Sequence, residues 1–245
     1  MRCQRPISVL LSAIAGIALF SCVANAPISP ANLRPTQQNT ASSNLRSVYS
    51  ESLAAGGSVF RLDPTASAIR IYVFRGGAAA RLGHNHVLSA PRFEGYVYVP
   101  RSGAAEARFD LEFRLDELEF DKPEIRSHMS AAYSGELLPQ DIERARQHML
   151  GEDNLQAQRF PFVRVHSLQI VGESPKFVAQ VRVELHGQQR EIWVPLNVEG
   201  LPEQVSARGS FVIRQTDFGI QPYSLLGGFV AVRDEVLVEF QLAGA

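Results

Sequence analysis

The 245 residues are enough for one substantial domain or two small ones, and 45% hydrophobic residues supply a core. A formal net charge of -1, with acids and bases mixed along the chain, argues against nucleic acid as a partner, because phosphate backbones are met by clustered Lys and Arg. No Gly-x-Ser-x-Gly elbow, zinc-protease motif or phosphate loop occurs, so the expectation is a binding protein and not an enzyme.

The N-terminus is the most legible part of the chain. Arg2 and Arg5 precede an apolar run over residues 7–20. That run falls short of the ~20 residues needed to span a bilayer and fits the apolar region of a secretory signal. Two cleavage sites compete. Ala24-Asn25-Ala26 is followed by Pro27, whose fixed ring suits the ordinary signal peptidase poorly. Leu19-Phe20-Ser21-Cys22 resembles a lipobox and is preferred; Cys22 then becomes the acylated first residue, held to a membrane by its lipid chains. Val23 in the next position points to the outer membrane, so the expected location is the periplasm, tethered to that membrane. Cys3 and Cys22 are the only cysteines, which leaves the exported part without a disulfide or a thiol nucleophile. The division expected is a signal peptide over 1–21, a flexible tether over 22–57 and one domain over 58–245. A short helical piece is expected within the tether, around 45–53.

From residue 58 onward, alternation of period two dominates. Phe109, Leu111, Phe113 and Leu115 alternate with charged neighbours. Phe177, Ala179, Val181, Val183 and Leu185 alternate with Val178, Gln180, Arg182 and Glu184, and Ile192, Val194, Leu196 and Val198 form a third set. Phe211 and Ile213 continue a set that begins at Val205, and Val236, Val238, Phe240 and Leu242 form the last. Less regular strands are expected at 67–74, 93–99 and 162–171. One apolar edge per strand describes half-buried antiparallel strands, and closure buries those edges. The expected fold is therefore all-β: a single closed antiparallel β-barrel of about eight strands. One segment breaks the pattern. Residues 139–150 read as a helix, opened by Pro139, with Ile142, Ala145 and Met149 on one face and Gly151 at its end. This helical insertion is expected to cap the barrel or line its mouth.

Several stretches, in order, carry a resemblance to a known family. They are Phe160-Pro161-Phe162-Val163 with Val165 and Ser167, then Leu185-His186-Gly187, then Asp217-Phe218-Gly219-Ile220 with a last strand over 234–242. From about residue 59 the chain resembles the YceI-like family of exported lipid- or polyisoprenoid-binding proteins with lipocalin-like barrels. Leu82-Gly83-His84-Asn85-His86-Val87-Leu88 resembles a histidine-bearing loop of one branch. The match departs at Gln215, where the family often has Arg, and over 125–150, where Arg126 and His128 are the polar equivalents. The resemblance implies a carrier or reservoir for a long apolar ligand such as an isoprenoid quinone, a polyprenyl lipid or a fatty acid.

The candidate ligand-binding residues are the inward set Phe109, Leu111, Phe113, Val181, Val183, Phe211, Ile213, Val238 and Phe240, with His84, His86 and Arg126 at the polar end. The same apolar set also suits a barrel filled by its own side chains. His84 and His86 project to one side of an extended segment. They suit head-group hydrogen bonds or, with a third donor such as His128, a metal or haem. No resident cofactor is expected beyond a bound isoprenoid or other lipid. His166 and His186 are expected to face solvent at polar strand edges, and His148 to face water from its helix. Asp217 is expected to pair with Arg126 or Arg214, or to cap a turn. The assembly is open between monomer and homodimer.

Overall fold

A computed structural model describes residues 42–54, 56–133 and 135–245. The expected signal peptide, both candidate cleavage sites and Cys22 lie outside the described residues.

The elements in chain order are α1 (Leu45–Ala54), β1 (Ser58–Arg61), β2 (Ala68–Gly76), β3 (His86–Ser89), β4 (Glu94–Val99), β5 (Arg108–Arg114) and β6 (Glu119–Phe120). Then come α2 (Pro123–Arg126), α3 (Pro139–Leu150), β7 (Phe162–Glu173), β8 (Lys176–Leu185), β9 (Gln188–Glu199), β10 (Val205–Arg214), β11 (Ser224–Leu225) and β12 (Val230–Gly244). All pairings are antiparallel, as expected of strands with one apolar edge each.

One continuous path of eleven strands runs β1-β4-β5-β7-β8-β9-β10-β12-β2-β3-β6, with β11 paired to β12 off the path. This is more strands than the eight expected, because short strands at 58–61, 86–89 and 119–120 carry no readable alternation. The far ends of the path also approach each other. Leu62, just after β1, bridges Gly244 at the end of β12. The Arg61 N–H donates to the Ala245 carbonyl at 3.2 Å and Asp63 N–H to that of Ala243 at 2.8 Å. Crowding at this seam explains Gly95: a Cβ there would lie 2.7 Å from Leu62 Cδ1.

The alternation read from sequence matches burial. In β8, Phe177, Ala179, Val181, Val183 and Leu185 are all buried, and the residues between them are not. The inward residues of β5, β7, β8, β9, β10 and β12 join one apolar cluster that includes Phe218 and Ile220. Helix α3 has the bounds its sequence predicts, with Pro139 at its start and Gly151 ending it. Ile142 and Met149 pack on that cluster. Arg146 fixes the helix to the turn after β5 by donating to the carbonyls of Leu118 at 2.8 Å and Asp116 at 2.5 Å.

The short helical piece expected around 45–53 is α1, but the tether expected over 22–57 needs correction where that helix is docked. Residues 42–54 lie on the sheet's outer face. Glu112 accepts from the hydroxyls of Ser42 and Ser43, both at 2.7 Å, and from the Ser43 N–H at 3.1 Å. Tyr49, only 1% exposed, stacks on Tyr96 at 5.3 Å and donates to Asp110 at 2.7 Å. Arg108 covers the Tyr49 and Tyr98 rings and donates to Ser52. The helix is amphipathic through Leu45, Tyr49 and Ser52, a spacing of three to four that the polar composition of the segment obscures. Among the described residues, no helix is long and apolar enough to cross a membrane.

Candidate functional site: an apolar cavity with a histidine-bearing mouth

The sheet wraps a cavity of about 1110 Å³. Ligand clefts typically measure ~300–1,000 Å³, so the space accommodates a long molecule. All nine apolar candidates line it: Phe109, Leu111 and Phe113 from β5, Val181 and Val183 from β8, Phe211 and Ile213 from β10, and Val238 and Phe240 from β12. Phe211 and Phe240 remain partly accessible although they point inward, since one side of each meets open space. Their rings pack at 6.4 Å across the β10–β12 pair.

Polar groups gather where Leu82, Gly83, His84, His86, Asp141, Arg144, Gln147, His148 and Tyr223 join the lining. The stretch 83–86 explains part of this. Asn85, between the two histidines, turns away and is buried, its carbonyl oxygen Oδ1 accepting from the Arg75 N–H at 3.0 Å. With Asn85 stapled back, His84 and His86 both face the cavity, as period two requires. His84 is exposed and lies against Gly135, where a Cβ would be 3.6 Å from its ring.

His86 is the better supported of the two. Its Nδ1 is 2.6 Å from Asp121, a residue whose side chain has no solvent exposure. Asp121 also accepts from the Val87 N–H at 3.1 Å and from Arg126 Nη1 at 2.6 Å. Burial pushes the Asp121 carboxyl up, but the hydrogen bond and charge of His86, with Val87 and Arg126, outweigh it and hold Asp121 below the usual carboxylate range. Asp121 adopts the left-handed backbone region (φ 48°) that Asp tolerates better than most residues. Arg126 is held at both terminal nitrogens: Nη1 also donates to the Asn85 carbonyl at 3.0 Å, and Nη2 to that of Tyr133 at 2.7 Å.

Three expectations are corrected here. Arg126 does not line the cavity; it supports Asp121, which supports His86, and it is not the partner of Asp217. His186 is not solvated at a strand edge. It sits in a tight turn (φ 52°) with Nδ1 3.0 Å from the Phe218 carbonyl and its ring edge-on to Phe160 at 5.0 Å. His128 does not join His84 and His86; its Nδ1 lies 2.7 Å from the Glu124 carbonyl, and no group of three metal donors occurs among the described residues. His166 is exposed, as expected, and paired with Asp110 at 2.5 Å. His148 is exposed, with its ring edge-on to Tyr223 at 4.5 Å. Asp121 and Tyr223 escaped the sequence reading. The one local signal for Asp121 is its place before Lys122-Pro123, where a helix begins.

A curved antiparallel sheet around an apolar cavity defines the class as an all-β protein with a ligand-sized interior. The YceI-like domain matches residues 60–243, and the chain belongs to that family. Among solved structures, it is similar to the crystal structure of Burkholderia cenocepacia BcnA, with a TM-score of 0.57 at 14% identity over 75% of this chain and 99% of that one. A Campylobacter jejuni YCEI protein, solved as a mutant with a monobromobimane guest, gives a TM-score of 0.47 at 10% identity over 64% of this chain and 84% of that one. No curated protein matches the chain.

Proposed function

We propose that this protein carries or stores a long apolar molecule in its cavity: an isoprenoid quinone, a polyprenyl lipid or a fatty acid. The observation that carries the reading is the 1110 Å³ space lined by inward residues of six long strands. Each ~40 Å² of apolar surface moved there from water is worth about 1 kcal/mol. The polar end of the ligand meets His84 and His86. Donation of Nδ1–H to Asp121 leaves His86 Nε2 to accept from a hydroxyl head, and the protonated ring donates to a carbonyl instead. The bonds between residues 61–63 and 243–245 favour closure of β1, β4, β5, β7, β8, β9, β10 and β12 into an eight-stranded barrel.

The same reading makes the chain an exported lipoprotein of the outer membrane, acylated on Cys22. Native mass spectrometry of the full chain, extracted gently from the envelope, tests both parts. The expected result is an adduct that leaves on denaturation, extracts into organic solvent and is depleted in His86→Ala. Bare protein, under conditions that preserve lipid on a control carrier, overturns the carrier reading. An unmodified N-terminus at Pro27 overturns the acylation.

A further inference from the structure

Twelve large apolar side chains are exposed among the described residues, and six of them belong to the loops at the histidine-bearing end of the cavity. Leu82, 66% exposed, and Tyr223 themselves line the cavity, and Leu138 follows the cavity-lining Leu137. Leu225, Leu226 and Phe229 form the β11–β12 hairpin, whose tip turns through Gly227 (φ 65°) and Gly228 (φ 92°). Leu226 at that tip is 76% exposed. Direct contacts join these loops into one rim. Ala79 N–H donates to the Phe229 carbonyl at 2.7 Å, His148 packs on Tyr223, and His84 lies against Gly135.

The charges beside the rim are mixed, with arginine in slight excess over the acids. Arg75, Arg81 and Arg233 flank it and form no ion pair among the described residues. Of the nearby acids Glu136, Asp141 and Asp234, Asp141 is paired with Arg144 at 3.3 Å and Asp234 accepts from the Thr216 hydroxyl at 2.6 Å. Apolar tips flanked by arginines match an interface between anionic head groups and acyl chains. A second copy of this chain is the competing occupant, and self-association reads it out in the test below.

We infer that this rim is a membrane-docking surface: Leu82 and the β11–β12 hairpin enter the acyl boundary, the arginines meet lipid phosphates, and the cavity opens onto the bilayer. Cargo then passes between bilayer and cavity without crossing water. That last step rests on the carrier reading; the docking itself does not.

The chain's sole tryptophan, Trp193, lies exposed on β9 and provides an internal control. The test compares the natural full chain with a Trp193→Phe/Leu226→Trp variant. Both are mixed with phosphatidylethanolamine–phosphatidylglycerol vesicles carrying brominated acyl chains. The indole introduced at the hairpin should be quenched about twofold or more, and Trp193 should not. No quenching at the hairpin, or equal quenching of both, overturns docking through the rim, even where Cys22 lipids hold the chain to the vesicle. Self-association lost in Leu226→Glu/Phe229→Glu, with hairpin quenching absent, makes the rim a contact between copies and overturns the inference. In the same variant, transfer of a pyrene-labelled fatty acid between vesicles should slow roughly tenfold while uptake from vesicle-free solution is unchanged. Hairpin quenching in a chain that never takes up the pyrene probe removes the carrier reading and leaves docking intact.

Discussion

Asp121 and Glu112 are both hidden from solvent and both pair with an arginine, at 2.6 Å to Arg126 and 2.5 Å to Arg164, yet they are assembled differently. Glu112, Arg164 and Glu184 face one another by strand register alone, as Cα partners across β5, β7 and β8. Their site is the outer face, and what they hold is the N-terminal segment, through Ser42 and Ser43. Asp121 belongs to no such ladder. It sits in a bend after β6 and gathers His86, Val87 and Arg126 from a strand edge and a single-turn helix. The regular sheet supplies a clasp, whereas the irregular loops supply the carboxylate that holds the cavity-facing His86. Register places charges in rows, and aiming one imidazole into a cavity requires a departure from it.

The sharpest way to break this comparison is Asp121→Ala. It leaves the Arg126 guanidinium buried without its counter-ion, and removing one member of a buried pair typically costs 3–5 kcal/mol. Urea denaturation should show a loss of about that size, with ligand occupancy falling beside it because His86 loses its orientation. A loss below about 1 kcal/mol would mean that Asp121 is solvated in solution.

Glu112→Ala should cost less, about 1–3 kcal/mol, since Arg164 keeps Glu184 at 2.8 Å. Its effect should be local. Amides of Leu45–Ala54 should exchange faster and trypsin should cut at Arg46, while cavity occupancy stays unchanged. The clasp is also pH-sensitive. Burial pushes the Glu112 carboxyl up, but Ser42, Ser43 and Arg164 together hold it below the usual range. A carboxylate lowered on folding stabilises above its unfolded value, about 4.3, and that contribution disappears as pH falls through the folded value. Protection of α1 should therefore be full at neutral pH and fail below about pH 4. In Glu112→Gln it should be weaker and nearly flat across that range.

These two clusters also show what the sequence could and could not disclose. Phe177 to Leu185 alternate with a single apolar interruption at Val178, so their strand, its inward face and its place on the cavity wall were readable in the sequence. Helix α3 was equally plain, because Pro139 and Gly151 punctuate a spacing of three to four. Where pairing is short, the signal vanishes: β3 and β6 share two register pairs, and nothing in Glu119-Phe120 announces a strand. Arg126 was named for the right region and the wrong role. A lone arginine does not reveal whether it faces a ligand or a buried carboxylate, and its partner Asp121 is an ordinary turn residue by type. The helix within 42–54 was legible but its docking was not, because Ser42, Ser43 and Ser52 read as linker composition, although here each is held by a charged or backbone partner.

The smallest expected effect isolates one bond of the outer clasp. Tyr49→Phe removes the hydrogen bond to Asp110 and keeps the ring on Tyr96, so the cost should be about 0.5–1.5 kcal/mol at neutral pH. Burial, then the Asp110 charge, raises the Tyr49 hydroxyl well above its ordinary value. A group raised on folding stabilises fully below its unfolded value, about 10 for tyrosine, and loses that contribution as pH climbs toward the folded one. The natural chain should therefore release α1 in alkali as well as in acid, and Tyr49→Phe should flatten the alkaline limb alone. Hydrogen exchange at Leu45–Ala54 across both limits reads the two ends separately. An alkaline limb that survives the substitution would overturn the assignment of the release to Tyr49.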